Sequence, residues 1–213
     1  MEIIKVVDLK KSFGPVEVLR GINFHIEEGE RIAIMGNSGC GKTTLLKMLG
    51  LIEDPTFGEV YYKGEKSKNL SSDEISEIRL NDIGFVFQDF RLLDSLTIQE
   101  NIMLPMIINK EEEDIMFDKC NYYAEKVGIK HLLSKKPSNI SGGEKQRTAI
   151  CRALINNPSI IYADEPTGNL DSKTGKTIID ILVNTNVELK KTLIMVTHDP
   201  LIASYCNRVI WLK

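Results

Sequence analysis

Short stretches far apart in this chain carry side chains whose types and spacing suit phosphate chemistry. The run Gly36, Asn37, Ser38, Gly39, Cys40, Gly41, Lys42, Thr43 fits the pattern G-x-x-x-x-G-K-[ST], and Thr44 follows it. Its glycines let the backbone curl tightly, so that successive N–H groups face an anion. Lys42 adds a mobile positive charge for β and γ phosphates, and the Thr43 hydroxyl suits Mg²⁺. A plain Gly-rich turn has no use for the Lys-Thr ending, so the implied ligand is a nucleoside triphosphate. Further along, Asp164 and Glu165 follow the apolar run Ile160 to Ala163. Asp164 suits the outer shell of Mg²⁺, and Glu165 suits a general base or a water-orienting group. The plain alternative, a solvated loop start, fits poorly behind an apolar strand with a phosphate loop upstream. The pair therefore favours hydrolysis over transfer to a second substrate.

Ser141, Gly142, Gly143 and Glu144 pose a different question. Ser141 with Glu144 makes an ordinary capping box, opening a helix that buries Ala149, Ile150, Ala153 and Leu154. Two glycines in a first turn cost such a helix about 1 kcal/mol each against alanine. In exchange they leave amides bare at a positive dipole end, where a phosphate docks. The phosphate loop already holds one nucleotide, so this second cradle is expected to close on a nucleotide bound by another copy.

Positioning these groups needs an α/β frame. Ile32 to Met35 is expected to enter the phosphate loop as a buried strand, and Thr44 to Leu49 to leave it as a helix ending near Gly50. The strand at Ile160 to Ala163 would deliver its carboxylates to the C-terminal edge of the sheet, where open α/β sheets bind ligands. Residues 3–30 alternate as strands, with another at Gly58 to Lys63, which predicts an antiparallel subdomain. Residues 31–50, 83–88 and 158–213 alternate strand and helix, and helical periodicity dominates 89–157. The expectation is α/β: one domain over 1–213 with a P-loop NTPase core of the RecA-like kind. The core takes in about 1–88 and 158–213, with the N-terminal antiparallel β subdomain inside it, and a helical subdomain spans about 89–157.

The chain has 213 residues, enough to bury a core without disulfides, and its four cysteines lie too far apart for a zinc motif. They are expected to be reduced, as in cytosol. Cys40, inside the phosphate loop at a helix N-terminus, is a candidate reactive thiol. A net charge of −3 gives no footprint for nucleic acid. No apolar stretch approaches about 18 residues, and Met1 to Lys5 lacks a signal-peptide pattern. Lys213 follows the apolar run Val209 to Leu212 with no turn after it, which suggests a natural chain that continues further.

These motifs together resemble the ABC ATPases over nearly the whole chain. Ile140 to Arg147 (ISGGEKQR) resembles the family's signature motif. Gln88 after Ile83 to Phe87 resembles the Q-loop glutamine, Asn169, Leu170 and Asp171 the D-loop, and His198 after Leu193 to Val196 the switch histidine. Phe13 resembles the aromatic that stacks on adenine. Glu144 stands where glutamine is frequent, Phe13 where tyrosine is frequent, and Gly168-Asn169 precedes Leu-Asp; none removes a charge that the chemistry needs. The resemblance implies Mg·ATP on residues 36–44 with Thr43, Gln88 and Asp164 near the metal, and Lys42, Glu165 and His198 acting on the γ phosphate. It also implies that Ser141, Gly143 and Glu144 of one copy meet the nucleotide of another, with Asp171 coupling the two sites.

The partners implied are a second copy, or a second ABC ATPase, sandwiching two ATP, and an integral membrane permease. Asp89 to Leu93 would then line a groove for a coupling helix, although its apolar residues also suit plain core. The phrases IGFVFQDFRLL (83–93), LTIQEN (96–101) and DEPTGNLD (164–171) look like the lipoprotein-release and macrolide-export group. The tail from Thr197 (THDPLIASYCNRVIWLK) looks closest to bacitracin-type peptide-antibiotic resistance transporters. The implied role is the ATPase subunit of an exporter of a peptide antibiotic or other amphipathic compound, peripheral at the cytoplasmic face of the membrane. An ABC ATPase that transmits force through a membrane partner, without pumping a solute, is the alternative.

Overall fold

The computed structural model describes residues 1–212; Lys213, and with it the expectation about the chain's end, lies outside the described residues. The chain opens with a long hairpin, β1 (Glu2–Phe13) and β2 (Val16–Glu27), and β1 also pairs antiparallel with β4 (Phe57–Tyr62). With β5 (Glu65–Lys66) they form a sheet of order β2-β1-β4-β5. The antiparallel subdomain is present as expected.

A second sheet is wholly parallel. It takes β3 (Arg31–Met35), β6 (Ile83–Val86), β7 (Ile160–Asp164), β8 (Thr192–Val196) and β9 (Arg208–Trp211) in the order β6-β7-β8-β3-β9. Its central strands are covered on both faces, which explains why they read as unbroken apolar runs. Ile32, Ile34, Tyr162, Ile194 and Val196 pack toward α1 (Lys42–Leu49) and the antiparallel sheet. On the opposite face Ile161, Ala163, Leu193 and Met195 pack with Ile178 and Leu182 of α6 (Ser172–Leu189). Tyr162 is fully buried, and its hydroxyl donates to the Leu49 carbonyl at 2.8 Å, tying β7 to the end of α1.

The helical part comprises α3 (Ile98–Ile108), α4 (Glu113–Lys126) and α5 (Gly142–Leu154), and its apolar faces join the core on that second face of the parallel sheet. Helix α2 (Ser72–Asn81) joins β5 to β6, and its Ile75 and Ile78 pack on the α1 side of the core. It buries no residue fully, so apolar periodicity does not expose it; the capping box Ser71 with Glu74 is the signal that does. A short α7 (Pro200–Ala203) follows β8. The four cysteines are free thiols.

Candidate functional site

Because the second sheet is parallel, the C-terminal ends of β3, β6, β7 and β8 open on one edge. The phosphate loop leaves β3 there, Gln88 follows β6, Asp164 and Glu165 end β7, and His198 follows β8. Among the described residues this edge holds a cleft of about 440 Å³, lined by Gly39, Lys42, Thr43, Gln88 and Glu165 among others.

Gly41 is the N-cap of α1 in the left-handed region at φ +93°, and a Cβ there would sit 2.7 Å from Val18 Cγ1. Only glycine satisfies both conditions. As N-cap it offers no side-chain cap, which leaves the first amides of α1 available to an anion. Lys42 Nζ folds back on its own loop, donating to the carbonyls of Gly36 at 2.9 Å and Asn37 at 3.0 Å. Thr43 Oγ1 donates to Asp164 Oδ1 at 3.2 Å. Burial raises the Asp164 pKa; the Thr43 bond opposes this, and the neighbouring Glu165 adds to it.

Glu165 stands in a left-handed backbone at φ 43°, its amide held by the Val196 carbonyl at 3.0 Å. Both its carboxylate oxygens lie 3.0 Å from His198 Nδ1. The histidine side chain is 73% exposed against 19% for Glu165, so the ring caps a carboxylate that otherwise faces the cleft. Gln88 is tied to the loop after β7: Asn169 Nδ2 donates to the Gln88 carbonyl at 2.9 Å, and Gln88 Nε2 donates to Asn169 Oδ1 at 3.4 Å. Among the described residues nothing engages the Gln88 amide oxygen.

Several expected site residues, Gly36, Asn37, Cys40, Asp164 and His198 among them, border the cleft without lining it, and others fall elsewhere. Phe13 ends β1 at the hairpin turn, half exposed beneath the Lys11 ammonium, and is not among the cleft-lining residues. Val18 of β2 is, although no local pattern in its strand marks it. Asp171 caps α6, accepting from the amides of Lys173 and Thr174, and hydrogen bonding from Thr174, its side chain first and then its amide, lowers the Asp171 pKa. It lines a neighbouring cavity of about 470 Å³ with Glu165 and His198.

Ser141, Gly143 and Glu144 do not line the phosphate-loop cleft. They form the capping box in full: Ser141 Oγ accepts from the Glu144 amide, and Glu144 Oε2 accepts from the Ser141 amide and hydroxyl at 2.7 Å each. Those bonds, the Ser141 hydroxyl's first, lower the Glu144 pKa and keep the carboxylate anionic. The glycines also have a reason within the chain. A Cβ at Gly143 would lie 2.5 Å from Thr174 Cγ2, so α5 begins in contact with the first turn of α6.

Known proteins place this arrangement. Residues 19–168 match the family model described as ABC transporter. The ABC transporter ATP-binding protein YxdL of Bacillus subtilis is 50% identical over 99% of this chain and 83% of its own length. The bacitracin export ATP-binding protein BceA of Halalkalibacterium halodurans is 44% identical over all of this chain and 86% of its own. A dimeric, post-hydrolysis structure of the ATP-binding cassette MJ0796 with ADP and Pi superposes with a TM-score of 0.91 at 40% identity, covering 99% of this chain and 94% of that one. No helix among the described residues is long and apolar enough to cross a membrane. The chain therefore belongs to the ABC transporter family, as an ATP-binding subunit with ATPase activity.

Proposed function

We propose that this chain works as one half of an ATP-driven clamp on a membrane permease that expels a peptide antibiotic or a similar amphipathic compound. The observation that carries the reading is the separation of two helix N-termini. The end of α1 opens into the cleft with Lys42, Thr43, Gln88 and Glu165, while the end of α5 lies outside it, with Ser141 exposed, Gly142 half-buried and Gly143 buried against Thr174. A second copy, or a second ABC ATPase, supplies the missing Ser141 and Gly143 to each cleft. The dimeric MJ0796 cassette supports that arrangement, and the likeness to a bacitracin export protein supports the cargo class.

In this reading residues 36–44 hold the triphosphate, and Phe13 offers its exposed ring to the base. Lys42 gives up its bonds to the loop carbonyls to meet the β and γ phosphates. The oxygens of Thr43, Asp164 and Gln88 fit Mg²⁺, which prefers hard oxygen donors; the half-buried Asp164 carboxylate already meets the Thr43 hydroxyl. When bound, Mg²⁺ neutralises phosphate charge. Glu165 takes a proton from the attacking water, and His198 leaves Glu165 to bond the γ phosphate. Asp171, beside both residues in the neighbouring cavity, passes the state of one cleft to the other. Glu144 braces the helix end that meets the partner's nucleotide, its carboxylate accepting from the Ser141 amide and hydroxyl. The same reading puts the chain at the cytoplasmic face of the membrane, docked through the segment after Gln88.

Replacing Glu165 by glutamine tests it. The variant should bind ATP with unchanged affinity, hydrolyse it about 10²–10⁴-fold more slowly, and accumulate as ATP-bound dimers in light scattering. Brisk turnover by Glu165→Gln would sink the base assignment.

A further inference from the structure

The four residues Gln88 to Arg91 border two separate cavities. Gln88 lines the phosphate-loop cleft, whereas Arg91, with Phe87 just before the turn, lines a groove of about 300 Å³ shared with Arg79, Pro105 and Arg152. Within this stretch Phe90 and Arg91 both stand in the left-handed region, at φ 60° and 47°. Neighbouring non-glycine residues in that region are strained and persist only where their surroundings hold them. The turn's own bonds run from the Phe90 amide to the Phe87 carbonyl at 3.2 Å and from the Arg91 amide to the Asp89 carbonyl at 2.6 Å.

What holds it from outside is helix α5. Arg152 donates from one guanidinium nitrogen to the Phe90 carbonyl at 2.8 Å and from another to the Arg91 carbonyl at 2.5 Å. The fork of a guanidinium spans two adjacent carbonyls in a way that a lysine ammonium does not. Burial, then the neighbouring Arg91 charge, pulls its pKa down; the Asp89 carboxylate opposes this only in part, and neither carbonyl brings a full negative charge. Such a cation is poorly suited to stabilising the fold and well suited to fixing one backbone conformation. At the other end of α5 the Phe90 ring tip lies 3.8 Å from where a Cβ of Gly142 would be. Just past the turn Leu93 is fixed by the buried Asn101, whose side chain accepts from the Leu93 amide at 2.8 Å and donates to its carbonyl at 3.0 Å. Asn169 holds the Gln88 end and Asn101 the Leu93 end, so the freedom left to the segment lies between them, and there α5 restrains it at Phe90 and Arg91.

We propose that Arg152 is a positioning residue: it latches the strained turn after Gln88 to the signature helix at Phe90 and Arg91, so that a shift of that helix is passed along the turn to Gln88, where the tie to Asn169 opposes it. The inference rests on the roles proposed above for Gln88 and for the start of α5.

Hydrogen exchange on the full chain, read by mass spectrometry, tests the latch without requiring turnover. Arg152→Ala should speed exchange across 88–93 by about tenfold or more, with the rest of α5 unchanged. It should lower kcat about tenfold while KM for ATP stays within about twofold. Arg152→Lys, which keeps the charge and the stem, should recover less than half of that loss. Adding Arg91→Gly to Arg152→Ala relieves the positive-φ strain but supplies no tie to α5, so it should leave the loss in kcat, and its rescue would overturn the latch. Unchanged exchange in the turn, a uniform rise over the whole core, or full activity in Arg152→Lys would each overturn the proposal. Failure of the ATPase reading itself looks different. A chain whose Lys42 and Glu165 variants bind and hydrolyse ATP normally would refute that reading, while the exchange contrast at 88–93 would still report on the latch.

Discussion

The phosphate-loop end of α1 and the signature end of α5 are both glycine-rich helix starts, yet they satisfy their backbones in opposite ways. Gly41 gives α1 no side-chain cap, and Lys42 turns back to occupy loop carbonyls, so the first amides wait for an anion. Ser141 and Glu144 close α5 upon itself, in the same box that Ser71 with Glu74 builds on α2 and Thr97 with Glu100 on α3. A helix end that lacks its own cap depends on its ligand; one that is already capped needs only a surface for a ligand to approach. The capping box is therefore not what sets α5 apart. Its glycines are, and Gly143 serves a neighbour inside the chain, where α5 packs on Thr174.

The sharpest way to break this contrast is Lys42→Ala. If the loop lysine is held in reserve for phosphates, ATP affinity should fall about 100-fold or more, about 2.7 kcal/mol, with thermal stability barely changed. Titration calorimetry reads both the affinity and its enthalpy. Wild-type affinity in this variant would mean that the amides of α1 suffice alone.

Gly143→Ala separates the two uses of the signature glycine. A methyl group 2.5 Å from Thr174 Cγ2 must displace one helix start or the other, at a cost of about 1–3 kcal/mol. For a chain of this size that lowers Tm by roughly 2–4 °C per kcal/mol. Thr174→Ser removes the offending methyl, so the double variant should regain its stability in calorimetry. If its ATPase activity returns as well, Gly143 is there for packing alone. A double variant that is stable but inactive makes the bare backbone a requirement of the dimer.

Much of this could be read from the chain, because it is local. The phosphate loop, the strand behind Asp164 and the helix after Ser141 are contiguous patterns whose geometry follows from a few adjacent residues. What escaped depends on strand order. His198 meets Glu165 only because β8 lies beside β7, and Asn169 reaches Gln88 only because β7 lies beside β6. Val18 enters the cleft from a different sheet. Phe13 ends its strand at a hairpin tip with its ring half exposed, a placement that follows from the long β1–β2 pairing. Arg152 carries no marker in the sequence, since its partners are backbone carbonyls that any residue could present.

The smallest expected effect tests whether the α5 box is structurally ordinary. Ser141→Ala and Ser71→Ala each remove one cap, and each should cost about 1 kcal/mol of stability. Only the first should also weaken ATP-dependent dimer formation, because only α5 meets a partner in the proposed clamp. Acid gives an independent check. Hydrogen bonds from Ser141 hold the Glu144 pKa below its ordinary 4.5, so the box contributes its stability in full above that value. The contribution disappears as pH falls through the lower, folded pKa, where a protonated Glu144 no longer accepts from the Ser141 amide as a carboxylate. The stability difference between wild type and Ser141→Ala should therefore narrow in acid, and the Ser71 pair, whose Glu74 is depressed for the same reason, should narrow alongside it. If the α5 difference persists in acid while the α2 difference narrows, then Ser141 stabilises the chain by something other than its cap, and the likeness between the two boxes ends there.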